Sequence, residues 1–195
     1  MSQKSNQKKK ISTKIIILIP VFILGIVSVF SNMLAMSSLR SVNSVATVIA
    51  EESIASISEL ASIEQETMQI HNLALSHIVA TDLNTMISVV ANIREQESVL
   101  EDELAQYKKY VDAETQSDYD VICENYEQLK YECGNVMAYS AAGDNEAAYQ
   151  LANGDISTYA SAIESSIATI KDKVNANADK ERNNLQTTYH VSFVT

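Results

Sequence analysis

Tryptophan is absent from this 195-residue chain, proline occurs once and glycine only four times. A sequence so poor in helix breakers argues for helices throughout. Cysteine is scarce as well. Cys123 and Cys133 stand ten positions apart on one predicted helix, about 15 Å at 1.5 Å per residue, too far for a disulfide between them. Neither belongs to a redox or zinc pattern. Cys133 falls on an apolar stripe, where a cysteine packs as a small hydrophobe, and Cys123 is left as a candidate for cross-linking between subunits. The chain also lacks the phosphate-cradling glycine loop, the nucleophile elbow and the helix-borne zinc motif. No catalytic residue, metal site or cofactor is expected.

Acidic residues are missing from the first fifty positions, the first being Glu51. Within that stretch Ile15 to Leu39 carries no charge at all, and its core, Ile15 to Met36, exceeds the about 20 apolar residues that cross a bilayer as a helix. A cleaved signal peptide has a shorter apolar run, about 7 to 15 residues, and ends in a small-x-small site that is not evident here. The segment therefore reads as an uncleaved anchor. Lys4, Lys8, Lys9, Lys10 and Lys14 precede it, which places the N-terminus in the cytoplasm and the rest outside the cell membrane. Pro20 and Gly25 lie within the span, where both are tolerated.

Beyond the span nine basic residues face 25 acidic ones. So acidic a domain repels phosphate backbones and is not expected to bind nucleic acid. About 150 residues suffice for one compact domain with a core of its own.

Apolar and small residues then recur at alternating steps of three and four. The first stripe is Leu39, Val42, Ala46, Ile49, Ser53, Ser56, Leu60, Ile63, Thr67, Ile70, Ala74 and His77. This heptad seam continues from the membrane helix without glycine or proline, so one rod roughly 100 Å long is predicted. Thr81-Asp82-Leu83-Asn84 supplies a turn and a cap. The second stripe is Met86, Val90, Ile93, Glu97, Leu100, Leu104, Tyr107 and Val111, and Ser117 is the expected cap of the next helix. The third is Tyr119, Ile122, Tyr126, Leu129, Cys133, Val136 and Ser140. Gly143 then reads as a helix stop and Asp144 as the cap of the fourth helix. That helix carries Ile156, Tyr159, Ile163, Ile167, Ile170, Val174, Asn177, Glu181 and Leu185, with Asn153-Gly154 as a weak point near its start.

Short connections between long helices make neighbours antiparallel. The predicted fold is all-α: an N-terminal transmembrane helix continuous with an up-down-up-down four-helix bundle. The expected divisions are a basic cytoplasmic tail at 1–14, the span at 15–36 and the bundle at 37–189. Residues 190–195 turn apolar and read as the truncated start of a second span.

Few residues stand out as binding candidates. The run Glu95, Glu97, Glu101, Asp102 and Glu103 reads as a solvated helical face. His71 and His77 sit near the far end of the first helix, about 240° apart around it, so one subunit cannot point both at one metal ion. Packing explains them most simply, and a ligand pocket where helices of two subunits meet is the functional alternative. Tyr126, Tyr131, Tyr139, Tyr149 and Tyr159 give the third and fourth helices a hydrogen-bonding aromatic character. Tyr149 and Tyr159 are the ones expected at the depth of the histidines, beside the small residues Ala147, Ala148, Ala152 and Gly154.

The lysine-rich tail, single span, long first helix, three further helices, the Gly143-Asp144 turn followed by Glu146-Ala147-Ala148 and the returning span together resemble the four-helix-bundle sensor region of methyl-accepting chemotaxis proteins. The likeness extends over essentially the whole chain. It implies a homodimer joined through the first and fourth helices, which detects an extracellular small molecule or a ligand-loaded binding protein. It further implies helix displacement across the bilayer and control of a cytoplasmic kinase and adaptor through a C-terminal part missing from this chain. Family members that bind amino acids clasp the carboxylate with arginines on the distal first helix. Gln69 to Ala80 contains no arginine, so no ligand residue carries over from them. The same input bundle could also drive a sensor histidine kinase or a nucleotide cyclase, and a non-signalling anchored scaffold is the third reading.

Overall fold

The computed structural model describes residues 13–194, side chains at 188–194 and a few earlier positions excepted. The tail lysines Lys4, Lys8, Lys9 and Lys10, and Thr195 at the other end, lie outside the described residues. All regular structure among the described residues is helical: α1 (Thr13–Val79), α2 (Leu83–Tyr107), a 3-10 turn (Lys108–Tyr110), α3 (Gln116–Ala141), α4 (Asn145–Leu151), a π-helical turn (Ala152–Ile156) and α5 (Ser157–Val194). They fall into two compact units, residues 13–47 with 183–194 and residues 48–182.

In the first unit the beginning of α1 is apolar all round. Its best window has a mean hydropathy of 2.4 and none of it is buried. Phe22, Leu24 and Leu34 each expose about two thirds of their surface. Such a helix is long and apolar enough to cross a membrane, and an apolar surface this continuous is unstable in water. It points to membrane anchoring.

The second unit is an antiparallel bundle of four rods: α1, α2, α3 and the composite of α4, the π turn and α5. Hydrogen bonds show the direction of the α1–α2 and α2–α3 pairs. Ser56 meets Tyr107 and Ser62 meets Glu103 between α1 and α2, while Tyr119 reaches the Leu104 carbonyl and Tyr126 the Glu97 carbonyl between α2 and α3. Lys171 of α5 pairs with Glu64 of α1 at 2.6 Å. The core is the heptad stripe of each rod: Leu60, Ile63 and Ile70 from α1, Leu100 and Leu104 from α2, Ile122, Leu129 and Cys133 from α3, Ile163, Ile167 and Ile170 from α5. Both cysteines are free thiols, Cys133 fully buried and Cys123 half-buried.

The helix ends follow local chemistry. Asp82 caps α2 by accepting the Thr85 amide at 3.0 Å. Gly143 adopts φ 81°, a left-handed conformation that closes α3, and the Asp144 amide bonds back to the Tyr139 carbonyl at 2.9 Å. Asp144 then caps α4 through the Ala147 amide. Three expectations need correction. The cap of α3 is Thr115 and not Ser117, because Asp112 accepts the Glu114 and Thr115 amides and so sets the turn earlier. The acidic run is not wholly a solvated face: Glu97 is only 3% exposed, held by Arg94 at 2.7 Å. In the fourth rod Ala160 takes the buried position and Tyr159 moves to the flank.

That last change has a geometric cause. Buried positions run Ala148, Ala152, Ile156, Ala160 and then Ile163, three consecutive steps of four. Four residues at 100° each overshoot a turn by about 40°, so a regular helix would carry this stripe away from the core. The π turn takes up the extra residue and keeps the stripe aligned, as a stutter does in a coiled coil.

Candidate functional site

The α1–α2 turn and the α3–α4 turn meet at one end of the bundle. There Tyr149, 59% exposed, lines a shallow groove of about 760 Å³ with Ile78, Val79, Thr81, Asn145 and Glu146. Beside it Leu83 and Ile87, in the first turns of α2, add exposed apolar surface, and Val79 at the end of α1 is 76% exposed.

The other sequence candidates stand behind this surface, not in it. His77 is buried in the core, and its carbonyl accepts the Ser140 hydroxyl at 3.1 Å. Its Nδ1 is covered and has no partner, and burial pushes its pKa below the ordinary histidine value. His71 is half-buried, with Nε2 covered and unpartnered. Tyr159 is half-buried against the core. Of the four, only Tyr149 faces the groove.

Sequence reasoning passed over two further features. At the other end of the bundle a polar groove of about 550 Å³ is lined by Glu52, Ser53, Lys109, Asp112, Lys173 and Glu181, among others. Its two cations are already engaged: Lys109 by Glu59 at 2.8 Å, and Lys173 by Asp118 at 2.6 Å and the Glu114 carbonyl at 2.7 Å. The bond to Glu59 raises the pKa of Lys109. The only sequence signal was the Lys108-Lys109-Tyr110 run just before a loop.

The second feature lies along the α1–α2 contact, where Glu59, Glu66 and Glu103 each keep one covered carboxylate oxygen without a partner. Scattered glutamates on two helices carry no sequence signature until the pairing of those helices is known. No group of three or more histidine, cysteine or acidic side chains suited to a metal ion occurs among the described residues.

Curated proteins give no match to this chain. A family model described as a four helix bundle sensory module for signal transduction matches residues 8–189, nearly the whole length and all four rods of the bundle. The chain belongs to that family of four-helix-bundle sensory modules.

Proposed function

We propose that this chain is the input region of a chemoreceptor of the methyl-accepting type. In this reading residues 15–36 cross the plasma membrane, 1–14 lie in the cytoplasm, and 37–189 form the bundle outside the cell. The bundle detects an extracellular small molecule, directly or through a ligand-loaded binding protein. The observation that carries the reading is α1 itself, one helix from Thr13 to Val79 whose first part is lipid-compatible and whose last part supplies the bundle seam. A hydrogen-bonded helix resists compression, so a displacement of about 1–2 Å against its neighbours is conducted along it. Tyr149 is the contact residue at the stimulus end, with His71, His77 and Tyr159 responding from behind it.

The receptor acts as a homodimer through its first and fourth helices. Supporting this, Ile54, Ala61 and Met68 recur every seven residues on the exposed face of α1, with Ile54 68% and Met68 50% exposed. The output in such a receptor is a cytoplasmic kinase with its adaptor.

Cysteine accessibility in intact cells tests the arrangement in a Cys123→Ser background. Thr81→Cys should react with a membrane-impermeant maleimide, Ser5→Cys only after permeabilisation, and Met68→Cys should form a disulfide dimer where Gln128→Cys does not. In a fusion to a chemoreceptor signalling hairpin, the Met68→Cys cross-link should change kinase activity. Protection of Thr81→Cys would overturn the topology, and unchanged kinase output would remove the receptor reading.

A further inference from the structure

Glu66 on α1 and Glu103 on α2 face one seam of the bundle. The Ser62 hydroxyl, one turn before Glu66, donates to Glu103 Oε1 at 2.5 Å. Oε2 of Glu66 and Oε2 of Glu103 are both covered from solvent and without a hydrogen-bond partner. Covered carboxylate oxygens on two neighbouring acids are costly when both carry charge, and one proton held by the pair removes most of that cost.

The surrounding charges do not offset the two acids. Along the seam Glu59 and Asp102 share with Glu103 a groove of about 440 Å³ that has no basic residue in its lining. The cations of the neighbourhood are spent elsewhere, Lys109 on Glu59 and Lys171 on Glu64. Burial first and Glu103 second raise the pKa of Glu66. The groove also gives the pair a way to exchange a proton with solvent, since it is lined by both Ser62 and Glu103.

We propose that Glu66 and Glu103 hold one proton between them and that the bundle registers acidity through its loss to water. The pair goes from one negative charge to two. The second anion repels across the α1–α2 seam, so deprotonation loosens α1, and acid tightens it. The proton site stands on the helix pair alone, whereas its use as a stimulus rests on the sensory reading above.

Infrared titration of the full chain in lipid nanodiscs tests the site. A protonated-carboxyl band should persist above about pH 5.5, where an ordinary glutamate is almost wholly ionised. Glu66→Gln should abolish it, Glu103→Gln should move its loss to lower pH, because the neighbouring charge goes while the burial of Glu66 stays, and Asp102→Asn should leave it in place. Circular dichroism on each variant verifies the helical fold. A wild-type chain without the band, a band that survives Glu66→Gln, or a band that Glu103→Gln leaves unmoved overturns the shared proton site. With the band present, a kinase fusion whose output ignores pH in wild type and in Glu66→Gln alike overturns only its role as a stimulus.

Discussion

The Ser56 Oγ and the Tyr107 Oη lie 3.0 Å apart inside the bundle, joining α1 to the end of α2 across 51 residues. Both residues are at most 3% exposed, so neither hydroxyl has water as an alternative partner. Tyr107→Phe should destabilise the bundle by about 1 kcal/mol, as should Ser56→Ala, since each leaves a buried hydroxyl orphaned. The double variant should cost less than the sum of the two. Urea unfolding of the four proteins gives that coupling directly, and strict additivity would show that the hydroxyls do not depend on each other.

Arg94 and Glu97 form an unequal pair. The Glu97 side chain is 4% exposed and Arg94 57%, so the glutamate bears the desolvation while the arginine reaches out to water. Glu97 Oε1 has no partner even so. Arg94→Ala should therefore cost about 1–3 kcal/mol by stranding the buried charge. Glu97→Met should be neutral or stabilising, because an apolar side chain of similar volume suits the stripe. Thermal unfolding of both variants separates these outcomes.

His77 ties stability to pH. Burial lowers its pKa in the folded bundle, so the unfolded chain binds the proton first. At pH above about 6.5 both states are neutral at this residue and its contribution is fully present. As pH falls below that value the unfolded state gains protons that the folded state refuses, and stability declines until the folded pKa is passed. Glu66 acts in the opposite sense: its raised pKa favours the folded state at low pH and withdraws that support as pH rises through the folded value. In a Glu66→Gln background the urea midpoint should thus fall between about pH 7 and pH 5.5. The added change His77→Leu should flatten that fall, and an unaltered slope would mean that His77 is not its source.

Much of the bundle was legible because its stripes obey one period. Leu60, Ile63, Ile70, Ile122, Leu129 and Ile167 are all buried where a heptad places them; Asp82 and Asp144 start helices through side-chain caps, and Gly143 ends one through its left-handed backbone, all visible in the sequence. What was not legible depends on which helix faces which. Glu97 could be assigned equally to the apolar stripe or to the acidic run, and only the Arg94 contact explains how it is accommodated. Among the site candidates Tyr149 reaches the surface groove, whereas His77 is buried, its carbonyl accepting the Ser140 hydroxyl of α3, a pairing that the sequence alone does not show.

The π turn offers a test of how strictly the fourth rod keeps register. Its buried positions Ala148, Ala152, Ile156, Ala160 and Ile163 are spaced four, four, four and three. Removal of Gly154 converts the series to four, three, four and three, the spacing of a regular heptad. An α-helix then aligns the stripe unaided, and the wide turn is no longer required. A Cβ at Gly154 would meet no atom within 4 Å, so close packing at this residue does not oppose the change. The Gly154 deletion should therefore keep the helicity and the melting temperature close to those of the parent. Deletion of Ala168 breaks a stripe already in register between Ile167 and Ile170 and should lower the melting temperature by turning Ile170 and Val174 out of the core by about 100°. Circular dichroism melts compare the two, and equal damage from both deletions would show that the π turn has some role other than absorbing one residue.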